Sequence, residues 1–174
     1  VQDLINTDAI PAFGVPDLLA DADAAQQWSR QAMRVWSGAT GQPAPELSLR
    51  SRDLGPLRRV REDLRQWLVT GDPGAVEVPA RAVTVAVSGG RPVYGPRGDG
   101  ASAVIALVGI EMLLASQAGT VERLRVCANA ECSAAFYDQS RNGSRVWHDV
   151  KTCGNIANLR AMRARRRETP DSKT

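Results

Sequence analysis

All three cysteines and the only histidine of this 174-residue chain fall within 27 consecutive positions, as Cys127, Cys132, His148 and Cys153. The spacing is CxxxxC, then fifteen residues, then HxxxxC: two close pairs joined by a connector. Tetrahedral zinc takes four sulfur or imidazole donors from two such chain corners. An odd number of cysteines cannot pair fully as disulfides within one chain. Three unrelated buried thiols and a surface histidine would give the same composition without the clustering, so the zinc reading is the stronger one. The connector is predicted to form a hairpin, with AAFYD as a strand, an Asn-Gly turn in SRNGS and RVWH as the return strand.

Four protein donors close the zinc shell, whereas catalytic zinc keeps a position open for water. The sequence holds no second histidine and no spare cysteine to act as nucleophile or base. Adjacent carboxylates such as Glu62 and Asp63 diverge by about 100° on a helix. The expectation is therefore a structural metal and no enzyme. Zinc in finger peptides contributes on the order of 10–16 kcal/mol of apparent binding free energy, enough to hold a segment too small for its own core. Replacing Cys132 by Ser is expected to unfold residues 125–155 and to leave the larger helical part intact.

Charge separates along the chain. Residues 1–119 carry 11 basic and 13 acidic side chains, whereas residues 120–174 carry 11 basic and 6 acidic, giving nets of −2 and +5. Beyond Cys153 the sequence GNIANLRAMRARRRETP predicts a helix from about Gly154 to Arg167. Arg160, Arg163, Arg166 and Arg167 share its cationic side, Arg165 points elsewhere, and Ile156, Leu159 and Met162 form an apolar stripe expected to pack. Arg141, Arg145 and Lys151 add to the same basic patch. Guanidinium groups on a rigidly placed helix suit phosphate, so nucleic acid is the expected partner; a solvated helix or an acidic protein partner gives the same charge count.

The apolar and charged shares, 43% and 24%, are those of an ordinary folded domain. A short helix is expected in LINTDAI. Asp21 or Asp23 can cap a second helix to about Ser37, with Ala25, Trp28, Ala32, Val35 and Trp36 on one face and a loop over residues 38–45. Leu54, Leu57, Arg61, Leu64 and Leu68, with Val60 and Trp67 alongside, mark a third helix with Pro56 in its first turn and Gly71 at its stop. VEVPARAVTVAV (residues 76–87) and RPVYG read as a half-buried hairpin. Residues 101–117 form a helix whose near-uniform apolarity makes it the expected core centre. Trp28, Trp36 and Trp67 read as core residues in preference to a ligand pocket. The run AVIALVGIEMLLA falls short of the roughly 20 residues needed to span a bilayer. No secretion signal opens the chain, which predicts a cytoplasmic location. Val rather than Met at position 1 is expected of a natural sequence that starts earlier.

The order CxxxxC, FYD, SRNGSR, a tryptophan followed by a ligand, TCGN and a basic helix resembles the CGNR-type zinc finger over about 45 residues. LINT at Leu4–Thr7 resembles the L-x-N-T signature of the helical ABATE domain that precedes such fingers in a family of bacterial stress-induced transcription regulators. The resemblance implies zinc on Cys127, Cys132, His148 and Cys153, with His148 where the family usually has a cysteine. The family's CGNR reads CGNI here, so Ile156 replaces the arginine.

The expected fold is α+β and mainly α. A helical domain with a small β-hairpin (1–120) precedes a treble-clef or ribbon-like zinc finger with its basic helix (121–168) and a tail (169–174). The expected function is zinc-stabilised transcriptional regulation, with DNA contacted through the finger and Arg-rich helix and a small-molecule or protein effector at the helical domain. The alternative is a zinc-stapled protein-interaction module. Effector, target sequence and oligomeric state are not encoded in any motif.

Overall fold

Three aspartates set the starts of the long helices. The computed structural model describes residues 1–71 and 83–168, the side chains of Ala164, Arg166, Arg167 and Glu168 excepted. Asp21 accepts the Ala24 N–H at 2.8 Å and opens α2 (Ala22–Thr40), which follows the single turn α1 (Gln2–Ile5). Asp53 accepts the Arg50 N–H at 2.8 Å at the start of α3 (Ser51–Thr70), and its other oxygen accepts the Ala101 N–H at 3.0 Å at the start of α4 (Gly100–Gln117). Asp99 accepts from Gly100 N and Ser48 N, binding the head of α4 to the segment before α3. Each carboxylate satisfies N–H groups that a helix start leaves without intrahelical partners.

Two boundaries differ from expectation. Helix α2 continues to Thr40, where Gly41 in the left-handed conformation donates to the Ser37 carbonyl at 2.8 Å. Helix α3 begins at Ser51, so Pro56 lies in the second turn, not the first. Pro56 leaves the Arg52 carbonyl without its helical donor, and both residues are exposed.

Strands β1 (Val83–Ser88) and β2 (Arg91–Pro96) pair antiparallel with Val85 opposite Tyr94. The expectation of half-buried strands holds for Val83 and for part of β2, whereas Val85 and Val87 are 69% and 77% exposed. Tyr94 anchors the hairpin by meeting Trp36 edge-on at 5.9 Å. The expected strand residues 76–82 lie outside the described residues.

The core is built from Leu4, Ile5, Leu19, Leu57, Leu64 and the first half of α4, through Val108. Helix α3 contributes the face the periodicity picks out, including Arg61, which is buried and pairs with Asp17 at 2.9 Å and Asp8 at 3.2 Å. On α2 the buried face is Ala25, Ser29, Ala32 and Met33, and Val35 is exposed. Trp28, Trp36 and Trp67 pack half-buried against the core; the first two edge a crevice of about 50 Å³ that Trp67 does not reach. Helix α4 is not uniformly buried, since Leu113 and Leu114 are exposed. At 18 residues it is long and apolar enough to cross a membrane by length and composition, which the shorter apolar run is not. Its first half is core. Among the described residues the architecture is mainly α with two small antiparallel sheets.

Candidate metal centre

The second sheet builds the site. Strand β3 (Leu124–Val126) pairs antiparallel with β4 (Ala135–Tyr137), and the ladder continues past β3 as Cys127 N–H donates to the Ala134 carbonyl at 2.8 Å. The CxxxxC knuckle is therefore the turn of this hairpin. The expected return strand RVWH is not a strand, which corrects the predicted AAFYD/RVWH pairing. Its place is taken by the upstream LRV. Asp138, buried at the end of β4, accepts the Ser140 and Arg145 N–H groups at 2.8 and 2.9 Å and so bends residues 138–145 into a loop. The Ser140 contacts, the Arg145 N–H and the charge of Arg125 outweigh burial and hold the Asp138 carboxyl down at about 2. The loop returns as Ala128 N–H donates to the Val146 carbonyl at 2.8 Å, bringing the second ligand pair beside the first.

The second corner is a π-helical turn, Val150–Gly154, capped by the Asp149 carboxylate on Thr152 N at 3.0 Å. It swings Cys153 back toward His148. A Cβ on Gly154 would lie 3.3 Å from both Trp147 Cε3 and Val150 Cγ1, so the glycine of TCGN lets the backbone pass close beneath the indole. Arg145 holds the other side: its guanidinium donates to the His148 carbonyl at 2.6 Å and lies 5.6 Å from the Phe136 ring centre.

These elements bring all four predicted ligands together. The Sγ atoms of Cys127, Cys132 and Cys153 and a ring nitrogen of His148 lie within 4.8 Å of one another. His148 Nδ1 is 3.2 Å from Cys132 Sγ and 3.6 Å from Cys153 Sγ. Zinc bond lengths in a tetrahedron place sulfur and nitrogen ligands about 3.5 Å apart, so these distances are edges of a coordination polyhedron. The three cysteines are buried, with Ile10, Ala134 and Trp147 packed around them.

Burial pushes the Cys132 thiol up to about 12. Its deprotonation therefore calls for a local positive charge, which a divalent metal supplies. Burial also raises Cys153, but the Asn129 amide, donating to its sulfur at 3.4 Å, and the neighbouring side chains outweigh this and lower it. This donor set fits a closed, structural zinc. Asn129 and Asp138 are supporting residues that spacing alone did not single out, although CANAEC and FYD contain them.

The expected basic patch is distributed unevenly. Arg141 and Lys151 are exposed, on the loop and on the π-turn. Arg145 is committed to His148 and Phe136. Helix α5 (Asn155–Glu168) follows the π-turn and carries exposed Arg160, Arg163 and Arg165. Arg160 also pairs with Glu131 of the knuckle at 2.7 Å. The side chains of Arg166 and Arg167 lie outside the described residues. The apolar stripe does not pack as expected: Ile156 is half-buried, while Leu159 and Met162 are 49% and 40% exposed. The main contact of α5 is with the π-turn that leads into it, and among the described residues no other helix or strand makes more than marginal contact with it.

No curated protein matches the chain. Residues 123–166 match the family model of the CGNR zinc finger, a segment that contains the whole four-donor centre and most of α5.

Proposed function

We propose that the protein is a zinc-stabilised transcriptional regulator in which the finger and α5 (residues 121–168) contact DNA while residues 1–120 sense an effector. The observation that carries this reading is the exposure of Arg163 on a helix rooted in the metal centre and packed mainly on the π-turn that leads into it. Arg141 and Lys151 extend the positive surface on the finger itself. Guanidinium forks placed on a helix suit phosphate oxygens. Arg145 drops out of the binding set because its guanidinium is used inside the finger. The likeness of LINT to the L-x-N-T signature supports the regulator part of the reading. No reaction is assigned to the metal, because four protein donors leave zinc no open position.

Salt-dependent binding to duplex DNA tests this. The logarithm of the binding constant is expected to fall linearly with log salt, with a slope of about −0.9 per phosphate neutralised. Replacing Arg163 and Arg167 together by Ala should weaken binding uniformly across sequences and flatten the slope by about 0.9 per lost contact. A salt-independent signal would remove nucleic acid as the partner.

A second reading has its own observation. Leu159 and Met162 present an uncovered apolar stripe beside the arginines, which suits a protein groove with acidic rims. Loss of partner binding by Leu159→Ser with Met162→Ser, at unchanged DNA affinity, would favour that module.

A further inference from the structure

The region where the helical part meets the zinc hairpin contains a cleft of about 280 Å³. One wall is Val35, Trp36 and Met112 from α2 and α4; the other is Val121, Leu124 and Tyr137, from the 3-10 turn before β3 and from the hairpin itself. Two carboxylates enter this largely apolar space, Glu111 and Asp3. One oxygen of Glu111 accepts from Trp36 Nε1 and from the Tyr94 hydroxyl, both at 2.7 Å. Burial and this bond to Glu111 raise the Tyr94 pKa well above its ordinary value, so the hydroxyl remains a donor across the physiological range. Both donors are neutral. Among the described residues no lysine, arginine or terminal amine lies within 4.0 Å of either carboxylate.

We propose that this cleft binds a small organic cation, a primary ammonium carried on a one-ring apolar body, with the ammonium at Glu111 and the ring between Trp36 and Tyr137. Small-molecule sites are mostly apolar hollows with a few fixed polar groups, and the volume here suits a ligand of this size. Trp36 and Tyr94 fix Glu111 in place, so its orientation is set before a ligand arrives. Cations are attracted to the faces of indole and phenol rings, and Trp36 and Tyr137 line the cleft. Carboxylic acids and phosphates are excluded by the same charges. This deepens the sensing half of the proposed function and names the effector class. Because the far wall is the hairpin whose turn carries Cys127 and Cys132, an occupant touches the finger directly.

The test uses the full zinc-loaded chain, labelled with nitrogen-15, and three probes of matched size: 2-phenylethylamine, 2-phenylethanol and 3-phenylpropanoate. The amine is expected to shift the amides of Glu111, Val121, Leu124 and Tyr137 saturably, at least tenfold more tightly than the alcohol, with no binding of the carboxylate. Glu111→Gln keeps an acceptor oxygen for Trp36 and Tyr94 but removes the charge, and should bring amine and alcohol to within twofold. Asp3→Asn, at a more exposed position, should weaken the amine about threefold and serves if the first variant does not fold. Equal affinities for the three probes, shifts confined to other surfaces, or undiminished amine preference in both variants would overturn the proposal. No nucleic acid is present, so failure here leaves the DNA-binding reading to its own salt titration.

Discussion

Asn6 joins the beginning of the chain to the metal centre. Its carboxamide donates to the Ala135 carbonyl at 2.9 Å and accepts the Ala135 N–H at 2.7 Å, so one side chain pairs with both backbone groups of β4 as a neighbouring strand would. Beside it Arg65 donates to the Ser133 carbonyl at 2.8 Å and the Ile5 carbonyl at 2.9 Å. Ser133 is the only described non-glycine residue with positive φ, at 52°, a conformation that needs support from its surroundings. Asn6→Ala would leave the N–H and carbonyl of buried Ala135 without these partners. The expected loss is about 2–6 kcal/mol, from roughly 1–3 kcal/mol for each of two unsatisfied buried groups. Urea unfolding of the zinc-loaded protein measures it as a lowered midpoint at unchanged slope. Asn6→Asp should do no better, because it keeps the acceptor but turns the donor into a charge facing the Ala135 carbonyl. The LINT stretch stands out in the sequence without a visible reason. The reason lies 129 positions away in β4, where no local pattern can point.

At the scale of elements, Asp53 serves two helices at once, and this follows from Gly100. The glycine has φ +66°, and a Cβ there would stand 2.5 Å from Asp53 Oδ1. Its bare backbone lets α4 start against the α3 cap. Asp53→Ala removes both caps and is expected to cost about 2 kcal/mol, twice the typical value of one cap. Gly100→Ala should destabilise as well, through a strained φ and the clash together, and thermal unfolding of the two variants would show both below wild type. The long helices were legible in part: Asp21 marks the start of α2, although the helix runs past the expected stop near Ser37 to end at Gly41, and the leucine spacing gives the inner face of α3. The finger hairpin was less legible. Asn-Gly is a strong local turn signal, but LRV, three residues with no periodicity, outcompetes RVWH because Asp138 diverts the chain into a loop. For α5 the pattern identified an apolar stripe correctly, yet a pattern states which face can pack and not whether a partner stands opposite. The ligand spacing succeeded because four donors must converge on one metal wherever the strands run.

Across the whole molecule the zinc centre and the helical core share structure. Ala135 of β4 belongs to the same buried cluster as Leu4, Leu57 and Val104, while Cys127 and Cys132 bound the turn of the hairpin that carries it. Asn6, Arg65 and Ala135 thus lie between the metal and the main core, and the expectation that Cys132→Ser unfolds only residues 125–155 must meet this coupling. Without metal, three buried thiols would have to be held together at the end of a hairpin with only three paired residues on each strand, and a two-stranded hairpin alone is marginal in water. The hairpin should open, exposing Ala135 and releasing Asn6 and Arg65. Chelation is therefore expected to lower the melting temperature reported by the whole helical signal, not just that of the finger. Limited proteolysis of Cys132→Ser should cut first within residues 125–155 and then more readily near α1. Far-ultraviolet circular dichroism and Trp147 fluorescence, followed together during heating with and without a strong zinc chelator, would decide the matter. Coincident curves that move down together establish a coupled unit. A helical transition unmoved by chelation would establish the finger as an appendage that folds on its own account.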